Sequence, residues 1–70
     1  MSPSADRVAD QRRLDALEEL VFALAHSISV EAPQVGRPLA YRLKVTAELA
    51  SVSEEARQLF RAVARMLDPL

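Results

Sequence analysis

Apolar residues fall into two long helical series separated by one short irregular stretch. In the first, Leu14, Leu17, Val21, Leu24 and Ile28 step by 3, 4, 3 and 4 residues, the spacing that keeps side chains on one side of an α-helix. Leu20 and Ala25 widen that side, while Arg12, Asp15 and Glu19 lie opposite. No glycine or proline occurs between Ala5 and Ser29, so the pattern predicts helix 1 over about 5–29. Pro3 behind Ser2, or Ser4 or Asp6 as a cap, can each start it.

The stretch "VEAPQVGRP" interrupts the series and holds Gly36, Pro33 and Pro38. Proline disfavours helix in the residue before it and fits the first position of a new one. Residues 30–37 are therefore read as a connection, with helix 2 over about 38–67 opened by Pro38. Val45, Leu49, Val52, Ala56, Leu59, Val63 and Met66 step by 4, 3, 4, 3, 4 and 3, a heptad-type seam. Phe60 and Leu67 widen it, and Pro69 supplies the stop. A rival signal lies inside: Ser51 and Glu54 have capping-box spacing. A break near Ser51–Ser53 would give three shorter helices, whereas the unbroken seam favours one long one.

The expected fold class is all-α: an antiparallel helical hairpin of about 25 and 30 residues, roughly 37 and 45 Å long at the α-helical rise. No strand, repeat or second domain is visible. Two helices cannot bury two broad stripes on each other alone, so pairing of two hairpins into a four-helix bundle is expected. A three-helix bundle broken near Ser51–Ser53 is the alternative, and a hairpin completed by a different protein is a third. Chain length points the same way. Seventy residues bury a modest fraction of their surface, and such domains gain stability from disulfides, metals, good packing or association. The chain has no cysteine and one histidine, His26, which excludes disulfides and disfavours a structural zinc site. Packing and homodimerisation remain.

Two sets of apolar residues leave the seams. Leu39, Leu43, Ala47 and Ala50 form a strip about 120–160° from the seam of helix 2, and Phe22 projects about 140° from that of helix 1, beside Glu18 and His26. Phe22, His26, Leu39 and Leu43 are thus candidates for contact with a protein partner. The alternatives are a connection folded over the Leu39 strip and an isolated exposed Phe22.

Charge adds one more candidate. The net charge is −1, yet residues 1–35 hold six acids against three arginines, and residues 36–70 hold five arginines and Lys44 against four acids. Such asymmetry brings the halves together or turns the basic half to a partner. Arg57, Arg61 and Arg65 cover one strip of about 80° on helix 2. It reads as a solvated side paired with acids, as a surface for an acidic protein, or as a nucleic-acid contact. A pI near 5.7 and the absence of tryptophan disfavour the last. Small plasmid copy-control proteins of the Rop type resemble the expected architecture and bind RNA on one bundle face, but no sequence motif carries that likeness.

Catalysis finds no support. Glu18 and Glu19, like Glu54 and Glu55, diverge by about 100° and cannot converge as an acid/base pair. There is no cysteine nucleophile, phosphate loop or second histidine, so no catalytic, metal or cofactor site is expected. The segment "RPLAYRLK" (37–44) is similar to the start of the second helix in the helical-hairpin co-chaperones of type III secretion needle subunits, with Tyr41 and Arg42 at the matching places. Eight residues of common types do not assign the chain to that family.

The run "LVFALAHSISV" falls short of the roughly 18 residues that span a bilayer, and the N-terminus lacks an apolar region behind a basic start. A cytoplasmic location follows as the expectation. The expected function is a small non-enzymatic protein–protein interaction module: an adaptor, regulator, inhibitor or chaperone-like subunit. The competing class is a nucleic-acid-binding regulator using Arg57, Arg61 and Arg65.

Overall fold

Proline and serine set the helix boundaries. The computed structural model describes residues 3–69, with side chains described from Arg7 to Pro69. Among these residues are three helices and no strand: α1 (Pro3–Glu31), α2 (Pro33–Ala47) and α3 (Glu54–Leu67). Helix α1 begins at Pro3; Ser2 and the side chains of Ser4 and Asp6 lie outside the described set.

The expected connection over 30–37 contracts to one residue. Val30 and Glu31 continue α1, and 33–37 already belong to α2. Pro33 forces Ala32 out of the helical region (φ −141°, ψ 61°), by the clash proline imposes on its predecessor. Ala32 still serves both helices. Its N–H donates to the Ile28 carbonyl at 2.8 Å, and its carbonyl accepts from Val35 at 2.9 Å and Gly36 at 3.1 Å. Pro33, not Pro38, opens α2, and Pro38 sits inside it. The N–H that Pro38 lacks would have served Gln34, whose exposed position lets water take that carbonyl.

The single helix expected over 38–67 is also corrected: the chain breaks at 48–53, where the alternative placed it. Three short bonds tighten this turn, Glu48 N–H to Val45, Leu49 N–H to Thr46 and Val52 N–H to Leu49, each 3.1 Å. The cap is Ser53 rather than Ser51. Its extended backbone (φ −66°, ψ 158°) lets its hydroxyl oxygen accept from the Ala56 N–H at 3.2 Å, while Glu54 and Glu55 place negative charge in the first turn.

Helices α2 and α3 then run antiparallel, with Gly36 beside Leu67 at one end and Ala47 beside Arg57 at the other. Small residues make the close approach. A Cβ on Gly36 would lie 2.5 Å from the Leu67 carbonyl oxygen, and Ala40, Ala47 and Ala64 are essentially inaccessible. The C-terminal half of α1 joins through Ala25, with Phe22 and Ile28 packed beside it. Val63 and Leu67 complete the buried set, and Leu39, Leu43, Leu59 and Met66 pack against it half-buried. No large side chain among the described residues is wholly enclosed, so this core is thin.

The N-terminal half of α1 has no such packing. Every residue from Arg7 to Val21 is exposed. The radius of gyration is 14.5 Å and the extents are 48 × 30 × 14 Å, against about 11 Å for a compact domain of this length.

Candidate partner interface

The side of α1 that packs overlaps the side its apolar spacing marks only along one edge, through Ala25 and Ile28. Ala25 is 3% exposed and Phe22 is half-buried, whereas Leu24, about 100° round the helix from Ala25, is 55% exposed. Leu14, Leu17 and Leu20 are each more than half exposed, and Val21 is 38% exposed. The result is an apolar stripe that leaves the folded part of the chain and continues along the free half of the helix.

Where the stripe meets that folded part it runs into a groove of about 270 Å³. Val21, Leu24 and Ile28 form the α1 wall, Leu39 and Leu43 the α2 wall, and Val63 and Leu67 the floor. The polar groups are confined to Arg42 and Thr46. The Thr46 hydroxyl is already used, donating to the Arg42 carbonyl at 2.8 Å. The groove therefore offers a nonpolar bed with one guanidinium at its edge. Such a surface can receive the apolar side of a helix, and it has no converging donor or acceptor set for a small polar substrate.

Residues singled out by the sequence pattern are now divided. Phe22, Leu39 and Leu43, expected to face outward, pack against the core, because α1 meets α2 and α3 through small residues that draw these neighbours in. Leu39 and Leu43 still line the groove; His26 is exposed on α1. The heptad spacing over 45–66 does not mark one continuous side, since the turn at 48–53 reverses the chain. Val45 and Leu49 are 48% and 52% exposed, Val63 is buried, and Val52, Leu59 and Met66 are intermediate.

The arginine strip is divided too. Arg57 is a clamp on the turn: its Nε donates to the Ala47 carbonyl at 2.6 Å, and its second terminal nitrogen reaches the Val52 and Leu49 carbonyls at 3.3 and 3.4 Å. These are carbonyls that the end of α2 and the turn leave without helical partners. Its remaining nitrogen pairs with Glu54 at 2.8 Å. Arg61 pairs with Glu48 across the turn at 3.0 Å, and both face a shallow concavity shared with Lys44 and Arg65.

Arg42, Thr46 and Lys44 were missed by sequence reasoning. The available signal was position: each lies three or four residues from Leu39, Leu43 or Ala47 on the same helix. Among the described residues no three His, Cys, Asp or Glu side chains gather as a metal site, and no helix is long and apolar enough to cross a membrane. No family model, curated protein or solved structure matches the chain.

Proposed function

We propose that this chain is a small non-enzymatic protein–protein interaction module that works by pairing helices, first with a copy of itself in a helical bundle and through that bundle with other proteins. The observation that carries this reading is the exposed stripe of Leu14, Leu17, Leu20 and Leu24 running into an apolar groove. Contiguous apolar surface of this kind on a soluble fold marks a protein contact. The thin core adds support, since association is a route by which a cysteine-free chain of this size gains stability. Roles as an adaptor, inhibitor or chaperone-like subunit are all compatible with such a surface.

The test is capture from the source cells with tagged wild-type chain and with a Leu17→Asp/Leu24→Asp variant. Proteins identified by mass spectrometry are then reconstituted from purified components. Binding of a purified partner, or of the untagged chain itself, that the variant loses supports the reading. Equal recovery of the same set by both chains overturns it.

The convergence of Lys44, Arg61 and Arg65 gives a second reading, a nucleic-acid contact, something to stand on, although Arg57 is engaged in the turn. Salt-dependent retention on RNA or DNA lost in an Arg61→Ala/Arg65→Ala variant supports it, and no binding at about 50 mM salt overturns it.

A further inference from the structure

We infer that the occupant of the α1–α2 groove is the N-terminal half of α1 from a second copy of this chain, the two α1 helices lying antiparallel about a two-fold axis at Val21. This rests on the interaction-module reading and specifies its first partner and register.

Three observations lead there. The first is area. The chain exposes 5564 Å², whereas a compact monomer of 7.7 kDa exposes about 4,300 Å² by the usual size scaling. The excess of about 1,200 Å² exceeds the roughly 800 Å² that each partner contributes to a standard interface. One standard mutual contact along the free half of α1 would remove about two thirds of it.

The second is symmetry. A two-fold interface is self-complementary: if residue i meets residue j, then j meets i. The stripe has that property. Relative to Val21, Leu14 and Ile28 stand seven positions away on either side, and Leu17 and Leu24 stand four and three. Antiparallel pairing therefore lays Leu14 and Leu17 of one copy against Ile28 and Leu24 of the other. Ile28 and Leu24 are the α1 wall of the groove. The groove is incomplete without the second copy, and each copy carries one groove and one segment to fill it. Leu39 and Leu43 then cover the inserted helix from the α2 side.

The third is charge. Both ion pairs among the described residues lie within 48–61, so the acids of α1 are not spent on the basic half of their own chain. The groove edge carries Arg42 and no acid, while the stretch that this register lays against it, residues 14–21, brings Asp15, Glu18 and Glu19 and no basic residue. Opposite charges thus meet at the edge of an apolar contact, which favours this register over one that pairs like ends.

The absence of cysteine makes a direct test available. Single-cysteine variants Val21→Cys, Leu14→Cys and Ile28→Cys are prepared, each checked for unchanged helical circular dichroism, and treated with a short bis-maleimide at micromolar chain. In the antiparallel register Val21→Cys cross-links to a two-chain species. Leu14→Cys alone does so at least tenfold less, because its two copies lie about 21 Å apart along the axis. A mixture of Leu14→Cys and Ile28→Cys cross-links again. Self-cross-linking of Leu14→Cys as strong as that of Val21→Cys means parallel pairing and overturns the proposal. So does no cross-link at Val21, whether the wild type sediments as one chain or as two. A stripe-dependent complex with another purified protein, seen together with failure at Val21, leaves the module reading standing and removes the second copy from the groove.

Discussion

The N-terminal half of α1 and the α2–α3 pair carry apolar residues at similar helical spacing, and only one of them is packed. Leu14, Leu17 and Leu20 present large side chains to solvent. Between α2 and α3 the inaccessible residues are mostly small: Gly36, Ala40, Ala47 and Ala64. The difference teaches that large apolar residues at regular spacing mark a surface that must be covered, whereas small ones at helical spacing mark where two backbones of the same chain come together. A hairpin formed through small residues encloses little volume, which explains why its largest neighbours, Phe22, Ile28 and Met66, are only half-buried.

Breaking the packed side should have the largest effect. Leu67 is 5% exposed and lies against Gly36 and Val63. Leu67→Ala should cost about 2–5 kcal/mol, enough to abolish cooperative urea unfolding in so small a core. Gly36→Ala sharpens the point. In an open helix this change stabilises by about 0.5–1 kcal/mol. Here the new Cβ meets a backbone oxygen that cannot rotate away, so the variant should instead lose about 1–3 kcal/mol by chemical denaturation. A stabilised Gly36→Ala would show that α2 and α3 are farther apart than described.

Next comes the turn that makes the hairpin. Arg57→Ala removes the side-chain donor to the Ala47 and Val52 carbonyls and the second of two donors to that of Leu49, and should cost about 1 kcal/mol, water replacing part of what is lost. Arg57→Lys should recover little, since a single ammonium cannot reproduce the guanidinium fork. Arg61→Ala, which breaks only the exposed pair with Glu48, should stay within about 0.5 kcal/mol. The smallest effect belongs to the free half of α1. Leu17→Ser should change stability by under about 0.5 kcal/mol at dilutions where the melting temperature no longer depends on concentration. The same substitution should erase whatever concentration dependence the wild type shows, and that contrast separates surface awaiting a partner from surface already used.

Helix content and most stops were legible because their causes are local. Pro33 acts on the residue next to it, and the glycine- and proline-free runs allow uninterrupted i to i−4 bonding. Two errors were local as well. Gly36 and Pro38 read as a connection, though glycine at a helix contact serves close approach and proline inside α2 loses only one solvent-served bond. Ser51 and Ser53 compete for one cap, and Ser53 takes it because its side chain reaches the Ala56 N–H. What spacing could not give was the rotation of each helix. Leu24 and Ala25 are neighbours in sequence and differ by 100° of turn, and which of them faces inward depends on what stands opposite.

The sequence by itself determined that the chain is helical, where proline ends α1, and that it carries more apolar surface than two stripes can hide on each other. These follow from backbone sterics and composition within a few residues. Only the tertiary structure decided that the second half folds back at 48–53, that Phe22 turns in while Leu24 turns out, and that Arg57 caps a turn instead of joining an arginine strip. The rotation of α1 and the pairing of α2 with α3 depend on residues far apart in the chain meeting in space, and the Arg57 clamp on carbonyls five to ten positions away; close approach through Gly36 and Ala64 outweighs the stronger apolar spacing along the chain.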